Sequence, residues 1–332
     1  MKLADLGEFG LIDRIRHRVA GADDLAVGIG DDCAVAELPP GHQLLTTTDM
    51  LLEDVHFRRS WTDLCTLGRK SMAVNVSDIA AMGGRPRHVF VGLAIPDAMQ
   101  VEEIEELVDG MLQGCTLYGA TLAGGDTCRS RSGLVISVAL QGHIPRDRVL
   151  TRAGARPDDL VCVSGTLGDS ALALVDLMGG RRVEPRLLRR HLDPQARVRL
   201  GGALAEHGLA TAMIDVSDGL LGDLGHILEA SHVGARLQID ELPLSEAFRH
   251  RAGRDRNLHD LALSGGEDYE LLFTVRPDKW PEVQDLSAQV RTPVSRLGRI
   301  MTERELTMVD VDGRRYRPSA FGFTHFPEGR EP

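Results

Sequence analysis

Seven aspartates in this chain stand beside glycine or hydroxyl residues or inside otherwise apolar segments: Asp31, Asp32, Asp49, Asp78, Asp126, Asp215 and Asp218. Mg²⁺ takes hard oxygen ligands and keeps water and substrate phosphates in its shell, so scattered single carboxylates that converge in space make an ordinary Mg²⁺ site. Taken singly, each aspartate also suits a turn or a helix cap. Asp78 makes the stronger demand, because it lies within Met72-Ala73-Val74-Asn75-Val76-Ser77-Asp78-Ile79-Ala80-Ala81-Met82. A helix that apolar is expected to be buried, and a buried carboxylate needs a cation or a partner. Asn75, at i−3, shares its helical face and could add an oxygen or orient the carboxylate; the alternative is a polar surface stripe of Asn75 and Asp78. Gly28, Gly30, Gly124 and Gly125 flank the aspartates and permit the close backbone approach that phosphates, and also tight turns, require. Gly68-Arg69-Lys70-Ser71 is not a Walker A loop, and the H-R-D and D-F-G signatures of protein kinases are absent.

The elements that must position these residues follow from hydrophobic spacing. Phe9, Ile12, Ile15 and Val19 predict a helix from residue 8 to about 19. A strand over 42–48 is expected to end on Asp49, a helix over 63–82 to close on Gly83-Gly84, and a strand to cover 87–95. An amphipathic helix over 101–118 carries its acids near the N-terminal end. A short strand then leads into a Gly124-Gly125-Asp126 turn, followed by a strand over 133–142. The proline-punctuated, charged stretch 144–157 reads as an interdomain connection, with domains 1–149 and 150–332. Beyond it, strands at 160–164 and 212–216 alternate with helices at 170–178 and 220–230, an α/β pattern.

Composition narrows the partners. With 38 basic and 49 acidic side chains among 332 residues the net charge is −11, which repels a nucleic-acid backbone. Lysine occurs only at Lys2, Lys70 and Lys279, so a phosphate site would rely on metals, backbone amides and arginine forks. Cys33, Cys65, Cys115, Cys128 and Cys162 show neither C-x-x-C pairing nor zinc spacing and are expected to be buried free thiols in a reducing compartment. No signal-peptide core and no apolar stretch of about 20 residues is present, so a soluble, cytoplasmic protein without membrane partners is expected.

Taken together, the motifs resemble the thiamine-monophosphate kinase family. They are Gly7-Glu8-Phe9-Gly10-Leu11-Ile12, Gly28-Ile29-Gly30-Asp31-Asp32-Cys33-Ala34, Thr47-Thr48-Asp49, His56-Phe57, Ala73 through Gly83, and Gly124-Gly125-Asp126-Thr127. They continue as Leu150-Thr151-Arg152-Ala153-Gly154-Ala155, Gly165 through Ser170, Ile214-Asp215-Val216-Ser217-Asp218-Gly219-Leu220 and Leu263-Ser264-Gly265-Gly266-Glu267-Asp268-Tyr269-Glu270. The resemblance runs through nearly the whole chain. It implies the two-domain α/β fold shared with aminoimidazole ribonucleotide synthetase and selenophosphate synthetase, with N-terminal domains pairing into a homodimer around a shared β-barrel.

The resemblance further implies ATP-dependent phosphorylation of thiamine monophosphate with several Mg²⁺ ions. Asp32, Thr47, Thr48, Asp49, Asp78, Asp126, Asp215 and Asp218 would hold the metals. Gly125, Asp126, Arg152, Ser217 and Tyr118 would contact ATP, and His56, Glu267 and Phe323 would face thiamine monophosphate. Near the C-terminus the family often shows a tryptophan and a tyrosine in a W-x-G-Y-x-H-F-like run, where this chain reads Ala320-Phe321-Gly322-Phe323-Thr324-His325-Phe326, so that stacking survives but a tyrosine hydroxyl is lost. A phosphate monoester is already ionised at neutral pH, its second pKa lying near ~6, so direct in-line transfer needs neither a covalent nucleophile nor a general base. A competing reading, another phosphate-activating synthetase of the same group, leaves the Ser264 to Glu270 motif unexplained. A non-catalytic nucleotide-binding scaffold would have relaxed acidic positions that are all present.

Overall fold

The computed structural model describes residues 1–30, 33–253 and 255–318, which divide into two units, Met1–Ile79 with Gly84–Val149 and Ala80–Gly83 with Leu150–Pro332. In the first unit, α1 (Leu3–Leu6) and α2 (Glu8–Arg16) precede a short antiparallel ladder of β1 (Leu25–Val27) with β2 (Val35–Ala36). Helix α2 stops three residues before the spacing predicts, because Arg18 and Val19 donate their N–H groups to Ile15 O and Arg16 O and close a tighter turn. The main sheet contains β3 (His42–Leu52), β4 (Arg85–Pro96), β5 (Thr121–Ser130) and β6 (Val135–Pro145), in the order β3-β6-β4-β5. Only β4 and β5 are parallel, and α4 (Val101–Tyr118) makes the crossover between them; α3 (Leu64–Ala81) joins β3 to β4.

Burial alternates along these strands. Leu45 and Leu51 of β3, Ile136, Val138 and Leu140 of β6, and Val89, Val91, Leu93 and Ile95 of β4 are buried on one face, while Thr46, Thr48 and Met50 are exposed on the other. Helix α4 begins where Glu103 Oε2 accepts the Gln100 N–H at 2.7 Å and ends on Gly119 in the left-handed region. It lies so close to α3 that a Cβ on Gly110 would stand 1.9 Å from Cys65 O. No helix among the described residues is long and apolar enough to cross a membrane.

The second unit is built on β7 (Leu160–Ser164), β8 (Ala210–Asp215), β9 (Gly234–Gln238), β10 (Leu271–Val275), β11 (Val294–Met301) and β12 (Leu306–Val309). Their order is β12-β9-β11-β7-β10-β8, antiparallel throughout except β12 with β9. Every residue of β7 and β10 is buried, as expected for continuous apolar strands covered on both faces. One face packs beneath α5 (Asp169–Met178), α6 (Pro185–Leu192), α8 (Leu220–Ser231) and α9 (Glu246–Ala252), and the other beneath α7 (Val198–Glu206) and α12 (Trp280–Val290). Short helices α10 (Arg256–His259) and α11 (Leu261–Ser264) lead into β10. Of the five cysteines, Cys115 and Cys162 are buried as expected, Cys65 is partly covered, and Cys33 and Cys128 are exposed.

Candidate active site

In the first unit Asp49 sits in the middle of β3, opposite Val138, rather than at the strand's end. The apolar alternation continues through Met50, Leu51 and Leu52, and β6 pairs with β3 as far as Val135, so the strand has no reason to stop earlier. Thr47 and Asp49 lie on the face of Leu45 and Leu51, and Thr48 points the other way. Asp78 belongs to the last turn of α3, and the Thr47 hydroxyl donates a short hydrogen bond to its Oδ2. Burial, and then the neighbouring Asp78 carboxylate, push Asp49 up to about 6. Asn75 is wholly buried, which removes the surface-stripe reading; its amide donates to Ser71 O at 3.0 Å, while its Oδ1 has no hydrogen-bond partner.

Gly125 and Asp126 are also within a strand, β5, rather than in a turn, because the parallel ladder with β4 runs on to Ser130. Strand β5 is the sheet edge opposite β3, three strand spacings or about 14 Å away. Asp126 pairs with Gly92, which alternation places on the face away from Asp49. Among the described residues no three His, Cys, Asp or Glu side chains are grouped to hold a metal. Asp49, Asp78 and Thr47 nonetheless fit one Mg²⁺ as a partial site, since Mg²⁺ is commonly bound by one or two carboxylates with water and phosphate oxygens completing the shell. Tyr118 is the last residue of α4 and half-buried. His56 Nδ1 accepts the Leu52 N–H at 3.1 Å, which leaves the proton of the neutral ring on Nε2. Asp32 and Phe323 lie outside the described residues.

In the second unit Asp215 ends β8 and is 5% exposed, and the chain then turns through Ser217, Asp218 and Gly219 into α8. Asp223 Oδ2 accepts the N–H groups of Ser217, Asp218 and Gly219, each at 3.1 Å. Burial raises the Asp223 carboxyl to about 7 despite those donors. Residues 265–270 run alongside this turn. Ser217 O accepts the Glu267 N–H and Val216 O the Tyr269 N–H, both at 2.8 Å, and a Cβ on Gly266 would stand 2.3 Å from Ser217 O. Glu267 and Tyr269 hold positive φ, 64° and 50°, a cost of order 1 kcal/mol each that clusters at functional positions.

Alternation within the segment separates roles. Glu267 faces outward, its Oε2 3.2 Å from His191 Nδ1, while Asp268 and Glu270 point into the core. Glu270 accepts from Arg197 Nε at 2.7 Å, Arg190 at 2.9 Å and Ser164 Oγ at 2.5 Å. Arg152 is exposed, and its carbonyl accepts from Ser231 Oγ at 3.2 Å.

Two family models cover most of the chain: AIR synthase related protein, N-terminal domain, over residues 30–144, and AIR synthase related protein, C-terminal domain, over residues 156–311. The thiamine-monophosphate kinase of Haemophilus influenzae is 38% identical over 302 residues, 89% of either chain. The chain belongs to the thiamine-monophosphate kinase family. The crystal structure of the Stenotrophomonas maltophilia thiamine-monophosphate kinase is 40% identical, with a TM-score of 0.83 over 93% of this chain and 98% of that one. AaThiL complexed with AMPPCP and TMP is 34% identical, with a TM-score of 0.76 over 98% of this chain and 99% of that one.

The family's motifs fall on β3, the end of α3, β5 and the paired turns 216–219 and 265–270. Sequence reasoning missed three groups that shape these turns: Asp223, the Arg190 and Arg197 pair on Glu270, and His191. Asp223 carried a usable signal, an acid in the first turn of a helix that follows a glycine. The other two carried none, since the glutamates they meet, Glu267 and Glu270, lie between 73 and 80 residues away in the chain.

Proposed function

We propose that this chain transfers the γ-phosphoryl group of ATP to thiamine monophosphate, giving thiamine diphosphate. The reading rests on the Thr47, Asp49 and Asp78 constellation, a hard-oxygen site of the kind Mg²⁺–phosphate chemistry uses, in a chain 34% identical to a protein complexed with AMPPCP and TMP. Asp32, Thr47, Thr48, Asp49, Asp78, Asp126, Asp215 and Asp218 are the proposed metal ligands. Asp49 and Asp126 lie on opposite edges and opposite faces of the sheet, so no single ion would meet both. Bound Mg²⁺ would supply the charge compensation that two anionic reactants require.

The chain's own groups then bind and orient. Gly125, Asp126, Arg152, Ser217 and Tyr118 are assigned to ATP, and Asp223, by accepting the Ser217, Asp218 and Gly219 N–H groups, fixes the backbone of the turn that carries the Ser217 side chain. His56, with its donor on Nε2, and Glu267 and Phe323 are assigned to thiamine monophosphate. Transfer is direct and in line, without a phosphoenzyme. Residues 1–149 are taken as the ATP, Mg²⁺ and dimerisation domain and residues 150–332 as the domain that completes the site. Leu44 and Met50, 53% and 54% exposed on β3, support pairing of two sheets into a barrel. The protein is assigned to the cytoplasm.

The test is incubation with ATP, Mg²⁺ and a panel of phosphate acceptors, following ADP and the phosphorylated acceptor. Stoichiometric thiamine diphosphate from thiamine monophosphate alone is expected. Turnover with a different acceptor, or ATP hydrolysis without transfer, would defeat the assignment.

A further inference from the structure

His191 is 2% exposed and sits one residue before the end of α6, a helix opened by the Glu184 side chain accepting the N–H groups of Arg186 and Leu187. Its Nδ1 lies 3.0 Å from Ser170 Oγ and 3.2 Å from Glu267 Oε2. Both neighbours meet the same ring nitrogen. A nucleophilic Ser-His-acid relay needs the serine and the acid on opposite nitrogens, so this trio is not one. A carboxylate only accepts, so the Glu267 contact calls for the proton on Nδ1, which then lies between Glu267 Oε2 and the Ser170 hydroxyl oxygen, both acceptors in that tautomer.

We propose that His191 is a positioning residue for substrate recognition, holding the Glu267 carboxylate in the orientation that receives the thiamine moiety. The inference rests on the assignment of Glu267 to the substrate pocket. Three further observations support it. The Glu267 backbone is held at φ 64° by its N–H bond to Ser217 O, so the residue is placed at a conformational cost. Its side chain is 26% exposed, open enough to meet a ligand, whereas the ring that holds it is buried. The next residue inward on α6, Arg190, is anchored on Glu270 and the Asp268 carbonyl, so the helix end that carries His191 is itself fixed to the Glu267 segment.

A glutamate has three rotatable bonds, and freezing them only when the ligand arrives weakens binding. Removing His191 therefore costs affinity for thiamine monophosphate that is shared by ground and transition states, which appears in KM and not in kcat.

Steady-state kinetics of the full chain with each substrate varied in turn tests this. His191→Ala is expected to raise KM for thiamine monophosphate about 10-fold, the scale of one lost charge-assisted hydrogen bond, with kcat and the KM for ATP within about twofold. His191→Asn places an amide N–H where the ring Nδ1–H stood and is expected to restore KM to within about threefold. In a Glu267→Gln background, His191→Ala should add little. Equal KM increases for His191→Ala and His191→Asn, an undiminished effect in the Glu267→Gln background, or a matching rise in the KM for ATP would overturn the proposal. If Glu267→Gln alone leaves the KM for thiamine monophosphate unchanged, the assignment of Glu267 fails and the proposal with it. If it raises that KM while His191→Ala does not, only the role of His191 is lost. Should His191→Ala not fold, His191→Asn is compared with His191→Gln, whose amide reaches beyond the Nδ1 position. A higher KM for the Gln variant is expected, and equal values would overturn the proposal.

Discussion

Asp49 in the first unit and Glu270 in the second are both withdrawn from water, yet their carboxyls move in opposite directions. Burial and the adjacent Asp78 push Asp49 up to about 6. Burial also works to raise Glu270, but Arg190, Arg197 and the Ser164 hydroxyl outweigh it and hold the group below the usual glutamate range. Glu270 carries its counter-charges within the fold, whereas Asp49 and Asp78 are a like-charged pair on separate elements. The difference assigns Glu270 to the scaffold of the 265–270 segment and marks the Asp49–Asp78 pair, where like charges face one another, as the place where an added cation would relieve repulsion.

Breaking the scaffold should give the largest effect. Glu270→Ala leaves two guanidinium groups, 15% and 20% exposed, facing a site with no carboxylate, and is expected to lower folding stability by about 3–5 kcal/mol. Urea denaturation measures it; a loss under 1 kcal/mol would place Glu270 with the exposed ion pairs instead.

The opposite signature is expected at the other pair. Asp78→Asn keeps a carbonyl to accept from the Thr47 hydroxyl and removes the repulsion on Asp49, so the metal-free protein should be no less stable than the parent. Turnover should nevertheless fall about 100-fold or more, as metal coordination is lost. Melting curves without Mg²⁺, set beside kcat with saturating Mg²⁺, read both halves. Normal turnover would remove Asp78 from the metal site.

Asp268 sharpens the comparison within the second unit. It accepts the Gly168 N–H at 2.7 Å, its Oδ1 has no hydrogen-bond partner, and burial, outweighing Arg190, raises its carboxyl from 3.8 to about 8. Between those two values the folded chain keeps a proton that the unfolded chain releases, so this residue's contribution is complete below pH 3.8 and is lost as pH rises towards 8. Asp268→Asn should flatten the decline of stability across that window, relative to the parent. Parallel profiles for the two proteins would show that the carboxyl is already ionised in the fold.

The smallest effect expected is on ligand-linked melting. Mg²⁺ with ATP should raise the melting temperature by a few degrees by mass action, Mg²⁺ alone should give part of that rise, and Asp49→Asn should reduce the Mg²⁺ part. An unchanged curve at millimolar Mg²⁺ and ATP would contradict a carboxylate pair prepared for the ion.

Hydrophobic spacing by itself determined most of the local structure that carries these sites. The helix over 101–118 has the bounds of α4, the helix over 63–82 those of α3 to within a residue at each end, and the strand over 160–164 those of β7, because periodicity and capping act over a few neighbouring residues. The motifs also identified the family and the aspartates worth following. Tertiary structure alone decided which partner each acid meets. Thr47 and Asp78 are 31 residues apart, Ser164 and Glu270 106 apart, and no local pattern encodes either hydrogen bond. It also decided that Asp49 and Asp126 lie inside strands, since a strand continues for as long as its neighbours offer hydrogen bonds, and those neighbours come from distant segments.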